Sequence, residues 1–357
     1  MTGGGFSGLG GFVRGTGLVL GLELRQRVRG AAFYVILGVF FALIAALFVG
    51  VFLISGAWQT SGGTLFSSVV YFVLLLASLI SPALSGNAIN GEREGGTLAT
   101  IQVTSITTGQ IVVGKWLAAW VTSLALLVVT LPFLAIAVGI GDVSAVTVVS
   151  SLGILTAELG VLAAIGVGLS GLIRKPLFSV VVTYLTTAAL TLGTLIAFGI
   201  AGSLTQVTVS QTATYAIYDE DGTNGSTCGP PETTTYTVPR FDPYWGLLVA
   251  NPFVVVADAS YGDFDSTGQP ENLFGYIALG VRQAQIAPET EQVDDYCSYD
   301  ANGYPEEPTA EELLQSGVPS WFIGLAVQAV LAGAALAGAW ALTRTPAGRL
   351  AKGSRIA

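Results

Sequence analysis

The chain has 357 residues, 52% hydrophobic and only 10% charged, far below the quarter that soluble domains carry, which points to lipid as its solvent. The net charge of −9 hides a segregation: 18 of the 23 acids lie within 203–319, and 12 of the 14 lysines and arginines lie outside it. Histidine is absent, which excludes imidazole catalysis and imidazole metal sites.

Residues 17–30 read as an interfacial helix lying along the inner leaflet, because Leu20, Leu24 and Val28 recur at i, i+4, i+8 while Arg25, Arg27 and Arg29 interleave. Six apolar runs then reach the roughly 20 residues needed to cross a bilayer: 31–55, 65–90, 116–140, 145–173, 176–203 and 320–343. Their Gly, Ala, Ser and Thr content suits helices whose backbones approach closely. With six spans, every basic cluster falls on one side. Arg14, Arg25, Arg27 and Arg29 precede the first span, and Arg93 and Lys115 separate the second from the third. Arg174 and Lys175 separate the fourth from the fifth, and Arg344, Arg349, Lys352 and Arg355 follow the sixth. The positive-inside rule makes that side the cytoplasm. Arg25, Arg27, Arg29, Lys115, Arg174 and Lys175 are then inner-interface anchors that meet membrane lipids. A multi-pass plasma-membrane protein with both termini cytoplasmic is expected, its first span an uncleaved signal.

Residues 203–318 form an insert expected outside. Alternating Thr, Tyr and Val at 206–218 and 233–238 predict strands about a turn at 221–225. The apolar stretches 244–259 and 273–285 predict short helices on the outer membrane face. Cys228 and Cys297, the only cysteines, fall in this region, where an oxidising compartment permits a disulfide. That bridge closes a loop of about 70 residues and contributes roughly 4 kcal/mol of chain entropy. Asp219, Glu220, Asp221, Asp294 and Asp295 match no calcium loop and read as solvated faces that bind a cation at most weakly, so no metal site is expected.

Three stretches outside the insert bear on chemistry. Gly109 to Lys115 has the spacing of a phosphate-binding loop, but Trp116 stands where that loop needs Ser or Thr and the segment opens a membrane helix. Lys115 instead reads as an interface marker, its ammonium on lipid phosphates and its stem in hydrocarbon. Glu158 lies within the fourth span, where a carboxylate costs roughly 2.5–3.5 kcal/mol, so it should face protein or water. It either lines a substrate or ion path or hydrogen-bonds to a neighbouring helix through a group such as Tyr184. The third is the loop that opens at Asn90, where Glu92, Arg93 and Glu94 precede an apolar helical stretch able to dock on a soluble partner.

That loop, Glu92-Arg93-Glu94-Gly95-Gly96-Thr97-Leu98 with Gly114-Lys115 beyond it, resembles the signature of type-2 ABC exporter permeases. Thr104-Ser105-Ile106 departs from the Thr-Pro-Leu often found there. The string Asn251 to Asp258 with Leu279 to Arg282 resembles actinobacterial members. The resemblance implies an all-α membrane protein of six transmembrane helices with an amphipathic elbow at 1–30 and a coupling helix near 91–106. Spans one to five occupy 31–202, the mixed insert 203–318, the sixth span 319–343 and a tail 344–357. It further implies a permease subunit with no catalytic residues of its own. A separate ATPase dimer, carrying ATP and magnesium, would meet Glu92, Arg93, Glu94, Gly96, Thr97 and Leu98. A second copy or a related permease would complete the transporter, and nucleic acid is not a partner. The rival readings are an ion-coupled carrier working through Glu158 and a non-transporting receptor or assembly factor that displays the insert.

Overall fold

Apolar length dictates the architecture. The computed structural model describes residues 8–55, 61–95, 106–218, 226–297 and 308–344. Six of its helices are long and apolar enough to cross a membrane: Ala31–Ile54, Gly62–Glu94, Thr108–Ile140, Ala145–Leu172, Pro176–Leu204 and Trp321–Thr343. Helix α1 (Leu9–Arg29) leads into α2 (Ala31–Ser55), the first span. The second span is α3 (Gly62–Ser85), followed after a turn by the short α4 (Asn90–Glu94). α5 (Thr108–Ile140) and α6 (Ala145–Leu172) are the third and fourth. The fifth is built from α7 (Pro176–Ala188), a π-helical turn (Ala189–Gly193) and α8 (Thr194–Leu204).

The third span begins at Thr108 rather than at 116, and the cause is local. Thr107 Oγ1 accepts from the Gln110 backbone N–H while Gln110 Oε1 accepts from that of Thr107, a reciprocal cap that starts the helix ahead of its lysine. Spans two, three and four share the main core, with Leu65, Val69, Val73, Leu126, Leu155 and Leu159 buried. Span six lies against span four at backbone distance: a Cβ on Gly168 would stand 2.5 Å from that of Ala335, so only glycine permits the approach.

The insert starts with β1 (Gln206–Thr214), which pairs antiparallel with β4 (Glu232–Pro239). Between them, β2 (Ala216–Tyr218) pairs with β3 (Ser226–Cys228). The expected turn at 221–225 and the acids Asp219, Glu220 and Asp221 lie outside the described residues. On its other edge β1 takes a parallel strand, β5 (Glu291–Asp295), which its acidic sequence did not predict. Asp294 is tied down there as an acceptor from Gln211 Nε2 at 2.6 Å. Cys228 and Cys297 are disulfide-bonded, with Cα atoms 5.5 Å apart, and so join β3 to the end of β5.

The expected helix at 244–259 is two pieces, α9 (Gly246–Val249) and α10 (Pro252–Asp258), separated at Asn251-Pro252. Proline opens α10, and Asn251 Oδ1 caps it by accepting from Phe253 N–H. α11 (Leu273–Gln283) follows, then α12 (Ala310–Ser316), which opens with a Thr309/Glu312 capping box, and finally α13 (Trp321–Thr343), the sixth span. α10 and α11 do not rest on the membrane face alone. Val256, Ala257 and Phe274 enter the main core, and Tyr71 of span two stacks on Phe253 and tilts against Phe274. The insert is thus wedged into one end of the bundle.

Asp258 and Arg282 hold that wedge. Both are buried, with Arg282 Nη2 2.7 Å from Asp258 Oδ1. The other carboxylate oxygen accepts from the backbone N–H groups of Ser320 and Trp321 and from the Ser320 hydroxyl, where the positive end of the α13 dipole favours an anion. Removing one partner of a buried pair leaves an uncompensated charge and costs about 3–5 kcal/mol. Asp258→Ala should therefore lower the thermal unfolding temperature of the detergent-purified protein sharply, whereas Asp258→Asn combined with Arg282→Met, which keeps an acceptor for α13 and removes the stranded charge, should recover most of the loss.

Candidate functional site

At the end of the bundle opposite the insert, α1 lies lengthwise against the first half of α5. Gly15 faces Gln110, Val19 faces Gly114, Glu23 meets Lys115 and Arg27 meets Thr122. The pairs run in the same order along both helices, so the two are parallel neighbours. A Cβ on Gly114 would fall 2.7 Å from Val19 Cβ, which sets how close they come. The face of α1 that packs on protein is therefore Gly15, Val19, Glu23 and Arg27, at i+4 steps. Val28, the last residue of the expected apolar stripe, is exposed, and Leu20 and Leu24 are only half-buried. Gln110 Nε2 also donates to the carbonyls of Gly11 and Phe12.

Lys115 is the centre of this contact, and its side chain is only 2% exposed. Its ammonium pairs with Glu23 Oε1 on α1 and, at 2.8 Å, with Glu92 Oε1 on α4. The expectation of a lysine reaching lipid phosphates is thus corrected: two carboxylates of the protein occupy it. A buried ammonium needs such partners because its hydration is gone. Arg27 is likewise turned inward, its Nη1 donating to Thr122 Oγ1 at 2.9 Å and its Nη2 standing 3.9 Å from Glu23. Two cations and two anions from three helices make a locally neutral cluster.

The turn and α4 are tied to the ends of spans four and five as well. The backbone N–H groups of Ile89 and Asn90 donate to Ser170 Oγ at 3.0 and 3.2 Å, and Asn90 Nδ2 donates to the Ile173 carbonyl. Ser179 Oγ donates to the Gly86 carbonyl at 2.7 Å. Arg93 folds back, its Nη1 donating to Asn90 Oδ1 at 2.9 Å. Glu94 is exposed, while Glu92 and Arg93 turn toward the chain's own helices. Gly96, Thr97, Leu98 and the rest of the expected coupling helix up to residue 105 lie outside the described residues, as do Arg349, Lys352 and Arg355. Arg25, Arg29, Arg174 and Lys175 are exposed at this end, separate from the buried cluster.

Glu158 belongs to neither site. It is wholly buried in span four and meets Gln328 of span six, not Tyr184, which is partly exposed on a groove between spans two and five. Gln328 Nε2 donates to the Ala250 carbonyl at 3.1 Å. Both Glu158 oxygens and Gln328 Oε1 lack a donor among the described residues.

Sequence reasoning passed over Glu23, Thr122, Ser170 and Gln328. Glu23 had a signal, since it is the only acid before Glu92 and stands amid three arginines. Ser170 and Thr122 had none, because hydroxyls on membrane helices usually bond their own preceding turn. Residues 17–216, more than half of the chain, match the CcmB protein family, a stretch that takes in the later part of the α1–α5 contact, the Lys115 cluster and the first five spans. No curated protein matches the chain. On that match and its six apolar helices, the chain belongs to the CcmB family and is a multi-pass, ABC-type permease subunit.

Proposed function

We propose that this permease exports a substrate when a separate ATPase dimer closes against the segment that follows Asn90, in the manner of type-2 exporters. The single observation that carries the reading is the Lys115 cluster. A segment meant to transmit force must not slip on its own spans. Here α4 is joined to α1 and α5 through Lys115, and to spans four and five through Asn90, Ser170 and Ser179. Breaking one arm of the buried ion cluster costs about 3–5 kcal/mol, so displacement of α4 carries α1 and α5 with it.

The exposed Glu94 is the residue of the Glu-Arg-Glu run that reaches the ATPase, and Glu92 and Arg93 position it. Segregated charge supports the orientation, with basic clusters and both termini in the cytoplasm and the acidic insert outside. ATP and magnesium stay on the partner, whose binding favours one of two permease states. A second permease completes the path, and the wedged insert caps its exit.

A tagged chain extracted in detergent should bring a soluble ATPase with it, and Glu94→Lys should reduce the amount recovered. Lys115→Met should keep the ATPase bound yet lose about tenfold of the permease-dependent change in ATP turnover, within the usual range of coupling energies. Absence of any ATPase from the purified complex, or labelling of Arg93→Cys from outside intact cells, sinks the reading. Glu158 discriminates the ion-coupled rival. The neutral isostere Glu158→Gln should leave permease-dependent ATP turnover within about twofold of the wild type, whereas a carrier that loads its ion on that carboxylate would stop working.

A further inference from the structure

β4 lies at the margin of its sheet. In the order β4-β1-β5 it pairs, among the described residues, with β1 alone, in an unbroken antiparallel run from Glu232 to Pro239. One bond shows which of its backbone groups are spent. The Ser210 N–H donates to the Thr290 carbonyl at 2.9 Å, so Ser210 and the even-numbered residues of β1 turn their backbone toward β5. The odd-numbered Val207, Val209, Gln211 and Ala213 then turn theirs toward Val238, Tyr236, Thr234 and Glu232. Thr233, Thr235 and Thr237 are left with N–H and C=O directed outward, and every residue of β4 except Val238 is exposed.

The two margins of the sheet are built differently. β5 is short and carries Glu291, Asp294 and Asp295, the charged form in which natural edges resist a further strand. From Thr233 to Val238 β4 holds only threonine, tyrosine and valine, with no lysine and no bulge, and these residue types favour extended pairing. Its surroundings select a partner by charge. Residues 203–319 hold 18 acids against two arginines, and those arginines, Arg240 and Arg282, already pair with Asp242 and Asp258. A second copy would bring the same acidic surface and be repelled, whereas a basic segment would be drawn in.

We infer that the open edge of β4 takes an extended, lysine- or arginine-bearing segment of an extracytoplasmic protein as an added strand, held by the outward backbone groups of Thr233, Thr235 and Thr237. That strand would bear on span five, because the Arg240 N–H at the end of β4 donates to the Gly202 and Thr205 carbonyls at the end of that span. Only the compartment rests on the orientation proposed above; the edge and its charge stand without the ATPase reading.

The full chain in detergent is titrated with a labelled synthetic peptide of alternating valine and lysine, long enough to cover β4, and binding is followed by fluorescence anisotropy. One peptide per chain should bind, about tenfold tighter than a peptide with glutamate in place of lysine and than a lysine peptide methylated at alternate amides, which keeps the charge but loses the donors. Thr235→Pro removes one outward N–H and leaves the ladder to β1 intact, since an edge tolerates proline. It should weaken binding about tenfold at an unchanged thermal unfolding temperature. Thr235→Lys keeps the backbone and adds like charge, and it should weaken binding as well. Absence of saturable binding, equal binding of the methylated peptide, unchanged binding in both variants, or dimers cross-linked through Thr235→Cys in place of peptide binding overturns the site. Binding is read without the ATPase, so a chain that holds the peptide but captures no ATPase sinks the coupling proposal alone.

Discussion

Everything at the basic end of this protein depends on one ammonium group. Lys115 sits within a membrane helix at 2% exposure, and a bare charge there would be untenable. It is stable because Glu23 and Glu92 converge on it from two other helices. The same requirement fixes where α1 and α4 can sit, since neither can withdraw without leaving the lysine half-neutralised. Electrostatic need, more than apolar area, decides the geometry here, because the contact faces of α1 and α5 are made of glycine, threonine and valine with little surface to bury.

The opposite end uses the same device in another form. Asp258 and Arg282 are buried together, and Asp258 also caps the sixth span. Asn251 adds a second tether: its Nδ2 donates to the Thr191 carbonyl at 2.7 Å and to Thr194 Oγ1 at 2.9 Å. Thr191 lies in the π-helical turn of span five, and irregular backbone of this kind is tolerated at membrane depth only where protein satisfies it. Polar contacts thus anchor both ends of the bundle, while the middle holds the apolar core with the Glu158–Gln328 contact and hydroxyls bonded to their own helices.

Much of this fold was legible from residues. Runs of apolar sequence, one of them interrupted by Glu158, marked all six spans, and the 2-residue alternation at 206–218 and 233–238 marked β1 and β4. Segregated lysines and arginines marked one end, and Cys228 with Cys297 marked a bridge. What was illegible was the pairing of charges across the sequence. Lys115 looks like an interface lysine because its neighbours in the chain are apolar, and its partners stand 92 and 23 residues away. β5 escaped notice because Glu291 and Asp294 lower strand propensity, and only the parallel edge of β1 makes the strand worthwhile. The helix that starts at Thr108 was shortened by reading lysine as a boundary, when burial between two carboxylates removes its cost.

The cap on α13 has a consequence for how the molecule is made. On the proposed orientation, α13 follows Asp258 by some sixty residues, and its first peptide groups find their acceptor on a part of the chain that crosses the bilayer before it. On that orientation, seating of α13 waits on folding of the insert, and the Cys228–Cys297 bond closes in the same compartment. Assembly is then ordered in time, with folding of the insert preceding the seating of α13.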